Sequence, residues 1–131
     1  MALKLKLKPN ENVIIGGAVI KNGTHGTELF VENSVPILRQ KDILSERDVT
    51  SPCKRIYFAV QLMYIDEGNL QKYHQTYWEL VREVLAAAPS TGRLIQQISD
   101  NILTNDFYPA LKMARKLIEY EEELLEHAKR P

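Results

Sequence analysis

Six basic residues in the first third of the chain have the types and spacing to do chemistry: Lys4, Lys6, Lys8, Lys21, Arg39 and Lys41. The first three fall within residues 1–10, which contain no acid. Ammonium and guanidinium groups held close together neutralise phosphates, so a cluster of them is a candidate nucleic-acid site. The cluster forms only if the segment carrying Arg39 and Lys41 lies beside the segment carrying the first lysines. A plainer use of alternating lysines is to keep an exposed strand from pairing with other chains. The chain as a whole is neutral, with 17 basic and 17 acidic residues. A nucleic-acid role therefore rests on a local patch and not on total charge.

Other reactive residue types are sparse. There is no G-x-S-x-G, no phosphate loop of the Walker type and no H-E-x-x-H, so no enzyme signature is present. His25, His74 and His127 are scattered over a loop and two helical segments, without the convergent spacing of metal ligands. No cofactor is implied. The one cysteine, Cys53, falls in the first turn of a helix, where the dipole could lower its pKa, although a small buried thiol is the plain reading. Asp66-Glu67 sits at a helix end, where acids oppose the dipole. It reads as a solvated turn, with a partner contact as the alternative. Glu119, Glu121, Glu122, Glu123 and Glu126 form an acidic run. It is a solvated helix face or, alternatively, a docking surface for a basic partner.

These residues must be positioned by two halves of different periodicity. Up to about residue 48 the period is two. Leu3, Leu5 and Leu7 alternate with Lys4, Lys6 and Lys8, which places leucines on one strand face and lysines on the other. Pro9-Asn10 is a turn signal. Val13–Ile15 is a short apolar strand interrupted by Gly16-Gly17, a bulge or sharp bend, and resumed by Ala18–Lys21. Asn22–Gly26 reads as a hairpin loop, because Asn-Gly tolerates positive φ. Strands follow at 27–32 and 35–39. Pro36 cannot donate to a ladder, so the fifth strand is expected at an edge.

From residue 49 onward the period is near 3.6. Thr50-Ser51-Pro52 starts a helix, with a hydroxyl N-cap and proline at the first helical position. Gly68-Asn69 ends it. A second helix carries Leu70, Tyr73, Tyr77, Leu80, Val81 and Val84 and stops before Pro89. Ser90-Thr91 caps a third and Asn105-Asp106 a fourth. The expectation is an α+β protein: a β lobe of five antiparallel strands over 1–48 and an antiparallel bundle of about four helices over 49–131, joined by short linkers. No apolar run reaches the ~18–20 residues that span a bilayer. The start of the chain lacks the apolar core of a signal peptide. With a single cysteine these features fit a cytoplasmic protein with no membrane contact.

The run Met1-Ala2-Leu3-Lys4-Leu5-Lys6-Leu7-Lys8-Pro9-Asn10-Glu11, then Val13–Ile20, then Val35-Pro36-Ile37-Leu38-Arg39-Gln40-Lys41-Asp42-Ile43-Leu44, resembles the FlbT family. So do Thr50–Phe58 and Gln61-Leu62-Met63-Tyr64. The resemblance covers essentially the whole chain in order. It implies post-transcriptional control of flagellin synthesis through the leader of the flagellin mRNA, more often as repressor than as activator, opposite a small partner, FlaF. The strand half alone is similar to the carbon storage regulator CsrA. Arg39 stands where that family's fifth strand ends in an RNA-contacting arginine, and Lys6 and Lys8 fall near its basic first strand. The glycine of its first turn is missing, since the turn here reads Pro9-Asn10-Glu11. Pairing of the first strand of one chain with the fifth of another in that family implies a homodimer through the β lobe.

The mechanism implied is phosphate neutralisation by the six basic residues and reading of single-stranded leader bases by edge hydrogen bonds, with Asn22–Gly26 supplying some contacts. The competing expectation is a protein-interaction adaptor or chaperone-like module for flagellin or another flagellar component. It draws on the helical half, the acidic run, and Tyr73, Tyr77 and Trp78, of which Tyr73 and Tyr77 with Leu70 read first as core.

Overall fold

The computed structural model describes residues 2–129; Met1, which opens the run quoted above, lies outside them, as do residues 130–131. The chain divides into two compact units, Met1–Ile43 and Leu44–Pro131.

The first unit holds the five strands β1 (Leu3–Leu7), β2 (Asn12–Ile15), β3 (Ala18–Lys21), β4 (Thr27–Val31) and β5 (Ile37–Arg39). All pairings are antiparallel and form two sheets, β1-β4 and β3-β2-β5. The alternation of β1 works as its pattern requires: Leu5 and Leu7 are buried and join Val13 in a small core, packed by Ile15, Leu29, Val31 and Ile37. Lys4 and Lys6 point the other way and are exposed. β5 is an edge strand, and Pro36 stands just before it with its carbonyl accepting from Gly16 N–H at 2.9 Å.

Two turns differ from the sequence expectation. Gly16-Gly17 does not kink one continuing strand but reverses the chain, closing a β2-β3 hairpin in which Ile15 faces Ala18. Both glycines have positive φ, 57° and 87°, as a two-residue hairpin turn demands. Asn22–Gly26, conversely, joins strands of different sheets and makes no hairpin. Neither Asn22 nor Gly23 has positive φ. The Asn22 side chain instead knots the loop: Nδ2 donates to the carbonyls of Lys8 (2.8 Å) and His25 (2.9 Å), and Oδ1 accepts from Gly23 N–H and Thr27 Oγ1.

The second unit is helical: α1 (Pro52–Ile65), α2 (Leu70–Ala87), α3 (Gly92–Leu103) and α4 (Phe107–Lys129). α1 packs on α2 and α4, and α3 packs on α4. Ser51 caps α1, its Oγ accepting from Lys54 N–H at 3.2 Å, with Pro52 in the first turn. α1 is the central helix, with Cys53, Ile56, Tyr57, Ala59, Val60, Gln61 and Met63 all buried. Gln61 is the polar exception, and both ends of its amide are bonded. Its amide accepts from Leu44 N–H (2.8 Å) and donates to Leu44 C=O (3.0 Å), as a neighbouring strand would. Thr91 precedes α3, but its hydroxyl donates back to Ala88 C=O at 2.7 Å and does not cap. No helix among the described residues is long and apolar enough to cross a membrane.

Candidate nucleic-acid interface

All six basic residues of the first unit are the candidates named above, and they outnumber its carboxylates Glu11, Glu28, Glu32 and Asp42. The fold sorts them into three places. Lys8, Arg39 and Lys41 line one open groove of ≈740 Å³, together with Pro9, Asn10, Glu11 and Gln40. Lys4 and Lys6 lie on the outer face of the β1-β4 ribbon. Lys21 stands at the end of β3 opposite Asn12. That row is one residue on from Val13, which faces Arg39, so the pleat directs Lys21 to the opposite sheet face.

The groove exists because two chain segments meet there. Asn10 takes a left-handed conformation (φ 62°), which lets residues 8–11 turn tightly, with Glu11 N–H bonded to Lys8 C=O at 3.1 Å. Gln40 reaches the residue that follows this turn, its Oε1 accepting from Asn12 N–H at 2.6 Å. β1 and β5 share no ladder, since β1 pairs with β4 and β5 with β2. They are nevertheless tied within one chain, because the Arg39 guanidinium donates to the Lys6 carbonyl. The same Arg39 Nη2 pairs with Glu11 at 3.1 Å. Arg39 is thus a held cation with a carboxylate beside it.

Glu11 is the residue that sequence reasoning passed over. Its carboxylate accepts from Lys8 N–H at 2.8 Å and from Arg39. The Lys8 backbone bond, opposed by partial burial and then helped by Arg39, holds its carboxyl below the ordinary 4.5. A carboxylate four positions beyond the end of a lysine-bearing strand, in a chain with a strand-ending arginine, was the available signal. On the ribbon, Lys4 pairs with Glu28 at 3.4 Å with both side chains about half exposed, a contact of ~0–1 kcal/mol. The ammonium groups of Lys6, Lys8 and Lys21 form no ion pair among the described residues.

The other candidates resolve into structural roles. Cys53 is buried, and burial, then Glu121, pushes its thiol up to about 12, the reverse of an activated nucleophile. Glu121, drawn from the acidic run, is half-buried and bonded within the fold. It accepts from Ser51 Oγ and from Cys53 N–H (3.1 Å), placing a carboxylate on the N-terminus of α1. Asp66 accepts from Tyr73 Oη (2.6 Å) and Asn69 Nδ2 (3.0 Å), and these bonds hold its carboxyl below the usual value. Tyr77 is buried with its hydroxyl on Ser99 Oγ, and Trp78 packs edge-on against it with ring centroids 5.0 Å apart. No group of three or more His, Cys, Asp or Glu could hold a metal among the described residues.

The family model for flagellar protein FlbT matches residues 3–125. The chain belongs to the FlbT family. A probable flagellum biosynthesis repressor protein FlbT 1 of Bradyrhizobium diazoefficiens is 49% identical over 125 residues, covering 95% of this chain and 85% of that protein. The probable flagellum biosynthesis repressor FlbT of Rhodopseudomonas palustris is 40% identical over 95% of this chain and 98% of its own. The flagellum biosynthesis repressor FlbT of Caulobacter vibrioides is 38% identical over 97% of this chain and 92% of its own. No solved structure matches. Both the β lobe and most of α4 of this FlbT-family chain thus lie inside the family match.

Proposed function

We propose that this FlbT-family protein regulates flagellar synthesis by binding the 5′ leader of flagellin mRNA through its β lobe, as a repressor of flagellin expression. The observation that carries the reading is the groove where Lys8, Arg39 and Lys41 converge beside the Lys4–Lys6 face. Five of the six basic residues of a lobe with surplus positive charge thereby serve a surface that a phosphate chain can follow, Lys21 alone lying on the other sheet face. Asn10 and Gln40 add amides able to bond base edges. Arg39, oriented by Glu11, presents a fixed fork in place of a mobile chain end. Occupation of the leader then limits ribosome access or changes nuclease attack. The resemblance of the strand half to the carbon storage regulator, read from the sequence, points to the same strand ends, and a homodimer would double the site.

Photo-crosslinking of flagellin leader RNA to the full-length protein, followed by peptide mapping, tests this reading. Crosslinks are expected at residues 4–11 and 39–41. Crosslinks confined to residues 44–129, or none, would overturn it.

A second reading has one observation in its favour. An apolar groove of ≈310 Å³ runs between α1 and α2, lined by Phe58, Ala59, Leu62, Tyr73 and Leu80, with Arg55 and Lys72 also on its walls. A flagellar protein presenting an acidic amphipathic helix fits such a groove, and control of the transcript would then be indirect. Of the acidic run, Glu121 is taken up as a helix cap, while Glu119, Glu122, Glu123 and Glu126 are exposed.

A further inference from the structure

The outer face of the β1-β4 ribbon carries a residue that the basic pattern alone does not explain. Phe30 is 60% exposed. It lies directly across the ladder from Lys4, and the next row on the same face pairs Lys6 with Glu28. Cross-strand partners share a face, so the pleat gathers Lys4, Phe30, Lys6 and Glu28 on one side while Leu5, Leu29 and Leu7 go to the core. An aromatic ring between lysines on an open sheet is a recurrent solution to binding single-stranded nucleic acid. The ring stacks a base and the ammonium groups take the flanking phosphates.

We propose that Phe30 is a base-stacking platform for single-stranded RNA, with Lys4 and Lys6 as its phosphate contacts. This deepens the leader-binding reading and rests on it. The occupant is argued from charge. A protein surface seeking an apolar face would not need two lysines on it, whereas a nucleotide needs both the ring and the cations. Glu28 does not oppose this arrangement. Its pair with Lys4 is solvent-exposed, and an entering phosphate replaces it at little cost. The ring reads any base, so the platform supplies affinity for unpaired leader nucleotides, and sequence choice comes from the groove beyond it.

The test is fluorescence anisotropy of the full-length protein with flagellin leader RNA and with an unstructured oligonucleotide. The oligonucleotide is used in two forms, one intact and one with abasic sites. Phe30→Leu should weaken binding of the two base-bearing RNAs about tenfold while leaving the salt dependence unchanged, because a stack and not a charge is lost. Phe30→Tyr should bind as wild type. On the abasic oligonucleotide, wild type and Phe30→Leu should be equal. Phe30→Leu binding every RNA as tightly as wild type would overturn the platform and leave the groove reading intact. Wild type binding no RNA would overturn both. A wild-type dimer that Phe30→Leu converts to monomer would show the face to be a contact between copies, and the platform would again be wrong.

Discussion

Glu11 and Arg39 decide how the candidate groove works at the level of single side chains. A free arginine at a strand end would sample many rotamers. Arg39 is held at 3.1 Å from Glu11 and also reaches the Lys6 carbonyl, so its fork is oriented by its own chain. The carboxylate partly neutralises the guanidinium it orients. The tie is pH-dependent with a definite sign. The Glu11 carboxyl is depressed in the folded lobe by Lys8 N–H first and Arg39 second. Its contribution is therefore complete above the unfolded value near 4.5 and is lost as pH falls through the lower folded value. Glu11→Gln keeps an acceptor oxygen and loses the charge. The stability difference between wild type and Glu11→Gln should be constant above pH 4.5 and shrink below it, followed by denaturant titration across pH 2–7. Parallel acid profiles for the two proteins would contradict the tie.

At the level of elements, much was legible and the misses have physical causes. The Leu/Lys alternation of β1 specified its two faces correctly, because one-sided burial fixes a period of two. Ser51-Pro52 marked the start of α1, because cap chemistry is local. Gly16-Gly17 was misread because a bulge and a two-residue hairpin both need positive φ. What separates them is which strand pairs next, and that is a non-local matter. Asn22 was misread for the related reason that its side chain bonds Lys8 and His25 and forms no turn of its own. The cap supplied by Glu121 could not be read at all. It joins positions 70 residues apart, and the run around it is indistinguishable from a solvated face.

That cap separates Glu121 from its neighbours. Glu121→Ala removes the acceptor for Ser51 Oγ and Cys53 N–H and should cost ~1–2 kcal/mol, as for loss of a helix N-cap. Glu122→Ala and Glu123→Ala, both exposed, should stay within ~0.5 kcal/mol of wild type. Thermal or urea unfolding of the three variants checks this. Equal effects would mean that Glu121 does not cap α1.

For the whole molecule, neutrality conceals a division of labour. The 17 basic and 17 acidic residues are unevenly placed, with the β unit carrying the surplus of cations and the acidic run belonging to α4. A neutral chain can therefore present a cationic surface on one unit and an acidic run on the other. The sequence made the six cations visible. It could not say that Lys21 leaves the group or that Glu11 joins it, because both depend on strand register.

The most direct measurement is a titration of purified full-length protein with its flagellin leader RNA at several salt concentrations, beside a variant carrying both Lys6→Ala and Arg39→Ala. Wild type should bind with log K falling linearly in log salt, and the variant's slope should be shallower by about 1.4, one single-strand increment for each lost cation. Wild-type binding with no salt dependence, or a variant that binds the leader as tightly and with the same slope, would contradict RNA recognition by the β lobe.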